Sequence, residues 1–551
     1  MPNLDKYFAR GGMRLSNFVV STGVCCPART SYFTGQLAHC NNVTGNAYDF
    51  MRGAGGFRKF WESKLDRRWL PTLLESAGYE NSLAGKFLNY YYENASYFPA
   101  NYRYKPLGFK SFDATTYRAY NQSDTCYSLN GAPCICHTGV YQTETLAQKA
   151  RDVISSAAAS RKPFFLTITP TAPHLAQDDT PGQWFAPEVQ EQYRSLYAGE
   201  GVTVPKGANW MVAQPNIPRK QQLTYSRGYE AGLNSLYLAR LRSLRSVDDM
   251  IDSIMTTLKD QGLLDNTYIL YGSDNGFHLG AFGLNDGKNT PIEDDVRVPF
   301  FIRGPGITPG SVLPYQANMV DLAPTFLALA GLPIPDYFDG LPLPLMPRLQ
   351  PAYATALGVT LPPGVPGPVL RDANILEGWN GDYIPIYLIQ NSLHYKGVRI
   401  CSGAKLLPDP APGAAGGRDL MAKPGFAANQ VYAPGTYCYK YTVWCQGNKE
   451  LYDMSTDPYE INNQISTAPS RLLDRLDAVL STLVHCRGAE CRNPYRLLHK
   501  DGAVWDFAGT MATKYDTFYR TLPKLQLTEC NVIYLPRKEL TWRNPAGTFT
   551  S

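Results

Sequence analysis

The chain has 551 residues, enough to bury a large core and to form two domains or one large domain with insertions. Hydrophobic residues at 44% and charged residues at 18%, with 47 Gly and 42 Pro, exclude a disordered or fibrous chain and fit a loop-rich globular enzyme. The 52 Lys and Arg against 47 Asp and Glu leave +5 with no basic run, the ordinary charge of a solvated surface and no footprint for nucleic acid.

In chain order, residues 1–340 alternate short apolar runs with helical patterns, as an α/β domain does. The pattern predicts a buried strand at 18–20, a helix at 70–77 and a helix at 143–159 followed by a strand at 164–169. A helix at 233–258 then stops before Gly262, and strands at 267–271 and 298–302 precede a helix at 322–330. Residues 341–368 are rich in Pro and Gly and read as a linker or insertion. In residues 369–551, strands are expected at 383–390, 394–402, 437–444 and 450–454, forming a small antiparallel sheet. Behind it, Leu472, Leu473, Leu476, Val479, Leu480 and Leu483 share one face of a helix with Pro469 near its first turn. No stretch approaches 18 apolar residues, so no membrane span is expected.

Twelve cysteines are many for a reducing compartment. The short spacings of Cys438 with Cys445 and of Cys486 with Cys491 predict small disulfide loops, whereas Cys134 and Cys136 are not expected to pair with each other. Asn42-Val43-Thr44, Asn94-Ala95-Ser96 and Asn121-Gln122-Ser123 are glycosylation sequons. Both features predict a glycoprotein of the secretory route, secreted or lumenal. The first residues, Met1-Pro2-Asn3-Leu4-Asp5-Lys6-Tyr7, hold no charged segment followed by an apolar one, so no signal peptide is read there.

The chemistry concentrates in Val24-Cys25-Cys26-Pro27-Ala28-Arg29-Thr30-Ser31-Tyr32-Phe33-Thr34-Gly35. A strand, a loop and Pro27 at an expected first helical position set Cys25 beside the backbone N–H groups of a helix start, where an anion is well held. Gly272-Ser273-Asp274-Asn275-Gly276 closes the strand at 267–271 and puts a carboxylate and an amide oxygen at its carboxyl end, where open α/β sheets bind ligands. Two hard oxygens suit a divalent cation such as Ca²⁺, although Asp-Asn-Gly alone is a common turn.

The run Cys25-Cys26-Pro27-Ala28-Arg29 with Thr34-Gly35 resembles the signature of the formylglycine-dependent sulfatases. The likeness continues through Ala77-Gly78-Tyr79, Gly85-Lys86-Phe87-Leu88-Asn89, Pro173-His174, Gly287-Lys288, Glu293 and Arg297-Val298-Pro299. Glu450-Leu451-Tyr452-Asp453-Met454, Asp457-Pro458-Tyr459-Glu460 and Asn463 extend it, so that it covers residues 8–495. This resemblance implies an alkaline-phosphatase-like mixed sheet flanked by helices, followed by a smaller C-terminal α+β domain. It implies that Cys25, not Cys26, is oxidised to formylglycine by a formylglycine-generating enzyme, and that Asp274, Asn275 and the modified Cys25 hold one Ca²⁺. Arg29, Lys86 and Lys288 would hold the sulfate oxygens, and His174 would bind sulfate or protonate the leaving group. One hydroxyl of the aldehyde hydrate would attack sulfur, and the other would collapse the covalent sulfate. The implied substrate is an aryl or sugar sulfate ester, since the Cys-Cys-Pro and Gly-Lys-Phe-Leu-Asn segments are similar to arylsulfatases of the N-acetylglucosamine-6-sulfatase branch.

Three departures stand beside the likeness. Asp294-Asp295 replaces the family's Gly-Gly, and Leu88 stands where some relatives carry a histidine. Relatives also have a strand ending in paired aspartates, which supply metal ligands, upstream of the stretch matching Met1-Pro2-Asn3; Asp5, in a helical stretch leading toward Leu15, is not its equivalent. An N-terminally shortened chain with few metal ligands is the expectation. The alternatives are a phosphate-ester hydrolase of the same superfamily and a catalytically impaired protein that keeps the fold.

Overall fold

The computed structural model describes residues 1–46, 55–91, 104–116, 118–177, 184–213, 227–358, 371–379, 393–402 and 437–549. The chain starts in helical turns, Pro2–Leu4 and Asp5–Ala9, and then turns into β1 (Met13–Leu15) and β2 (Phe18–Val19), so the helical stretch around Asp5 ends before Leu15. β3 (Glu80–Gly85), β4 (Ser111–Thr115), β5 (Asp124–Leu129), β6 (Ile135–Thr138) and β7 (Phe164–Thr169) form one sheet in the order β6-β5-β4-β3-β7, with β3 parallel to both β4 and β7. β8 (Ile269–Gly272), β9 (Phe300–Arg303) and β10 (Ser311–Leu313) join β1 in a second, mixed sheet of order β10-β1-β9-β8, and β11 (Ala317–Asn318) pairs with β2.

The helices used below are α1 (Cys25–Thr34), α2 (Leu70–Ser76), α3 (Gln142–Ser160), α4 (Arg227–Asp260), α5 (Glu293–Val296), α6 (Leu322–Leu329) and α7 (Ser470–Leu483). Side chains alternate across a strand, and this alternation builds the layers. Leu83 of β3 packs with Phe33, Leu70, Leu74 and Leu327 from α1, α2 and α6 on one face. Its neighbour Ala84 packs with Leu146, Ala147, Val247 and Met250 from α3 and α4 on the other. This is the alkaline-phosphatase-like arrangement of mixed sheets between helices. No described strand pairs with the outer edge of β7 or of β8. A cavity of about 1150 Å³ separates these two edges, lined by both strands and by Val247, Met250, Leu322 and Phe326 of the flanking helices.

A separate antiparallel sheet follows, in the order β12 (Ala373–Gly378), β13 (Tyr395–Cys401), β14 (Cys438–Trp444) and β15 (Lys449–Asp453). Its β12 was not expected from sequence, and the strand expected at 383–390 lies outside the described residues. Ile375, Val398, Ile400, Val443 and Leu451 meet Leu476, Val479, Leu480 and Leu483 of α7, the apolar stripe visible in the sequence. The opposite face, through Leu376, Tyr395 and Trp444, packs on the core of the first region. Within the Pro- and Gly-rich segment, Leu341, Leu343 and Leu345 are buried in that core and Gln350–Leu357 is helical.

The disulfides correct one expectation. Cys486 does bond to Cys491, but Cys438 bonds to Cys401 across β13 and β14, and Cys445 bonds to Cys530. Cys438 and Cys445 sit at opposite ends of one strand, too far apart to close a loop. Cys136 bonds to Cys126 and leaves Cys134 as a thiol. Asn42 and Asn121 are each partly exposed, and Asn94 lies outside the described residues. Among the described residues no helix is long and apolar enough to cross a membrane.

Candidate active site

The helix α1 begins at Cys25, with Val24 extended before it, so Pro27 occupies the third helical position rather than the expected first. A proline there still costs no hydrogen bond, because the first-turn N–H groups have no partner within the helix. The two cysteines then separate in role. Cys26 is fully buried among the aromatic side chains, accepts the Asn89 N–H on its sulfur at 3.1 Å, and has its own N–H capped by Asn46 Oδ1 at 2.8 Å. Cys25 Sγ faces cations instead, Lys288 Nζ at 2.9 Å and Lys86 Nζ at 3.4 Å. Burial pushes the Cys25 thiol up, and Lys288, then Lys86, more than reverse it, so the thiol lies below its ordinary value. The helix closes at Gly35, left-handed at φ 64°, where a Cβ would meet the Phe338 ring at 2.7 Å; the Thr34-Gly35 motif is thus a cap.

Arg29, one turn after Cys25, donates from Nε to Asp274 Oδ2 at 2.7 Å and from Nη1 to the Lys86 carbonyl oxygen at 2.7 Å. Burial raises the Asp274 carboxyl, but Arg29, then Lys288, hold it well below the usual carboxylate range. Asn275 Oδ1 accepts from Lys288 Nζ at 3.3 Å. Gly276 is required by its neighbour, since a Cβ there would lie 1.9 Å from the Asp294 carbonyl oxygen. His174 donates from Nδ1 to the Leu175 carbonyl oxygen at 2.8 Å, which leaves Nε2 with a lone pair. Burial first, then Lys288 and Lys86, push its pKa well below 6.5, so the ring is neutral in the neutral range. Cys25, Arg29, Lys86, His174, Asp274, Asn275 and Lys288 therefore meet at the carboxyl ends of β3, β7 and β8.

Three residues at the site were not foreseen. Tyr120 OH accepts from Lys86 Nζ at 2.6 Å and from Asn89 Nδ2 at 3.2 Å, and nothing in its Tyr-rich surroundings singles it out in the sequence. His278 and Asp295 hold the Lys288 loop. His278 and Gly287 exchange both backbone hydrogen bonds, and the Asn289 N–H donates to Gly23 O at 3.1 Å. Asp295, fully buried, takes His278 Nδ1 at 2.9 Å, Thr290 N–H at 2.9 Å and Thr290 Oγ1 at 2.6 Å. Asp295 thus anchors both sides of Lys288. Glu293 lies off the site: Arg399 Nε at 3.0 Å and Lys440 Nζ at 3.5 Å tie it to the C-terminal sheet. Burial raises its carboxyl, and Arg399 and Lys440 together bring it to about 2.

The anchor gives a prediction. Burial lowers the His278 pKa, but Asp295 raises it more, to a value above 6.5. A histidine held above its unfolded value adds stability that is fully present below 6.5 and is lost as pH rises through the raised value. Asp295→Asn should cost about 3 kcal/mol in urea unfolding at pH 6, because it breaks a buried pair, and the cost should shrink as pH rises through the His278 value. An unchanged cost from pH 6 to pH 9 would show that the pair is not charged.

A hard cation finds oxygen of the right kind in Asp274 and Asn275, but not the number that Ca²⁺ takes, six to eight. Among the described residues no cluster of three histidine, cysteine or carboxylate ligand atoms forms there. A cation held by these two side chains alone would draw the rest of its coordination from water.

The fold is alkaline-phosphatase-like, and Lys86 and Lys288 stand against the Cys25 sulfur where its strands end. The family model described as Sulfatase matches residues 1–332. An arylsulfatase of Volvox carteri is 32% identical over 96% of this chain and 78% of its own length, and the N-acetylglucosamine-6-sulfatase of Homo sapiens is 26% identical over 88% and 80%. The chain belongs to the sulfatase family and is a sulfatase, an enzyme of sulfate-ester hydrolysis. A structure solved in complex with its substrate D-glucosamine-2-N,6-O-disulfate shares the fold at TM-score 0.60 and 20% identity, covering 85% of this chain and 88% of that one. A phosphonate monoester hydrolase from Silicibacter pomeroyi shares it at TM-score 0.50 and 18% identity, covering 86% and 87%. Fold alone therefore does not choose between sulfur and phosphorus.

Proposed function

We propose that the chain hydrolyses aryl or amino-sugar sulfate esters with a nucleophile made by oxidising Cys25 to formylglycine. The observation that carries this reading is the position of the Cys25 sulfur, 2.9 Å from Lys288 Nζ and 3.4 Å from Lys86 Nζ at the start of a helix. An ordinary thiol has no need of two ammonium groups, whereas a nucleophile that attacks an anion does. The aldehyde hydrate would supply two hydroxyls on one carbon, one to attack sulfur and one to release sulfate and restore the aldehyde.

The chain's own residues do the rest. Lys86 and Lys288 hold the sulfate oxygens and offset charge as it moves from sulfur to the departing alcohol. Arg29 keeps the Asp274 carboxylate ionised and turned toward the site. His174, neutral with a free Nε2 lone pair, takes the proton lost by the attacking hydroxyl and returns it to the alcohol oxygen. Asp274, Asn275 and the modified Cys25 would hold Ca²⁺, which would add positive charge at the attacking oxygen. The eight bonded cysteines and the partly exposed sequons Asn42 and Asn121 support an oxidising, secretory setting, where a formylglycine-generating enzyme would act on Cys25.

The test is to coexpress the chain with a formylglycine-generating enzyme, weigh the peptide holding Cys25, and compare nitrophenyl sulfate, glucosamine 6-sulfate and nitrophenyl phosphate. The expected result is an aldehyde at Cys25 and turnover of a sulfate well ahead of the phosphate. A plain thiol with faster phosphate turnover would replace this reading by that of a phosphate-ester hydrolase.

A further inference from the structure

Beside the cations, the wall of the site becomes aromatic. The ring of His174 lies against that of Tyr120, centroids 4.5 Å apart and planes at 30°. Trp184 closes the group, 5.2 Å from Tyr120 at 76° and 5.4 Å from His174 at 57°. Its place is fixed by the backbone next to it: Phe185 N–H donates to Ala176 O at 2.9 Å, and Ala176 N–H donates to Phe185 O at 3.0 Å, two residues beyond His174. The face of Tyr120 is taken, since Lys86 Nζ stands 4.6 Å over its centroid. Trp184 keeps 44% of its surface exposed, an unusual state for an indole already packed on two rings of a catalytic wall.

We infer that Trp184, backed by Tyr120 and His174, is the subsite for the ring that bears the sulfate, its flat apolar face lying on the indole. The inference rests on the sulfatase reading above and names the part of the substrate that reading leaves open. Sulfate is a compact charge, and on the reading above Lys86 and Lys288 hold its oxygens. The alcohol must leave the cation ring on the side of His174, which handles its proton, and there it meets Trp184. An indole face rewards a flat partner with C–H or π surface, which aryl groups and pyranose rings share and a linear alkyl chain lacks.

The experiment compares the formylglycine-bearing wild type with Trp184→Ala and Trp184→Phe on nitrophenyl sulfate, glucosamine 6-sulfate and a linear alkyl sulfate. For at least one ring substrate, Trp184→Ala should raise KM about five- to tenfold with a much smaller change in kcat, and Trp184→Phe should recover most of the loss. The alkyl sulfate should lose less than about twofold in KM, since it has little flat surface to stack. The ring with the larger rise identifies the source, aryl or sugar. A second readout needs no turnover: nitrophenol or glucosamine should bind the wild type and Trp184→Phe, by ligand-observed NMR, and lose binding to Trp184→Ala. Equal KM rises for ring and alkyl sulfates, or no rise for either ring, overturn the inference. If the wild type hydrolyses none of the three sulfates, the proposed function fails by itself, and the ring-binding measurement alone decides the role of Trp184.

Discussion

Replacing Cys25 with alanine is expected to lower sulfate-ester hydrolysis by about 10⁴-fold or more, to the background of a folded protein without a nucleophile. The neighbouring substitution is the control. Cys26 lies in the aromatic core with its sulfur held by Asn89, so Cys26→Ala should cost about 1 kcal/mol of stability and keep most of the activity. The pair is informative because the two thiols are adjacent in sequence and opposite in surroundings. Initial rates on an aryl sulfate, with a urea melt for each variant, make the comparison. Substantial activity in Cys25→Ala, or loss of activity in a folded Cys26→Ala, would move the nucleophile elsewhere.

Lys288→Ala should have the next largest effect, about 10²- to 10³-fold in kcat with a smaller change in KM. Its Nζ touches both the Cys25 sulfur and Asn275 Oδ1, so on the proposed mechanism it would stand where charge develops as well as where the sulfate would rest. Burial alone would lower the Lys288 ammonium, but Cys25 and Asp274 raise it above 10.5, which keeps it charged across the working range. Lys288→Arg should recover only part of the rate, because a planar fork does not fit a site built for a point charge between two acceptors. Equal losses in wild-type-like KM and kcat on removing Lys288 are not expected; a pure KM effect would make Lys288 a binding group alone.

How much of this was legible depends on the length scale of each signal. The helices α3 and α4 were visible because a 19-residue and a 34-residue element repeat their periodicity several times. β3 was not, because Glu-Asn-Ser-Leu-Ala-Gly holds no β-branched or aromatic residue; its strand state comes from β4 and β7 on either side. β12 holds a single β-branched residue, Ile375, and takes its strand state from β13 beside it. At the site, Cys25, Arg29, Lys86, Asp274, Asn275 and Lys288 were nameable because each falls in a motif of fixed spacing. Tyr120, Trp184 and His278 were not, because their roles are contacts made after folding. Asp295 was visible only as a departure from a pattern, and its meaning needed His278 and Thr290 beside it. The cystine pairs failed in part for a related reason: sequence proximity favoured Cys438 with Cys445, while strand pairing put Cys438 opposite Cys401.

The gap between β7 and β8 bears on how the lysines keep their separation. Lys86 follows β3 of one sheet, and the loop carrying Lys288 is bonded to His278 beyond β8 of the other and to Gly23 beyond β2, with no ladder of backbone bonds joining β7 to β8 among the described residues. Arg29 reaches both, gripping Asp274 with one nitrogen and the Lys86 carbonyl with another. That guanidinium works as a tie-bar across a seam, linking the ends of β3 and β8 through one side chain and the helix that carries it.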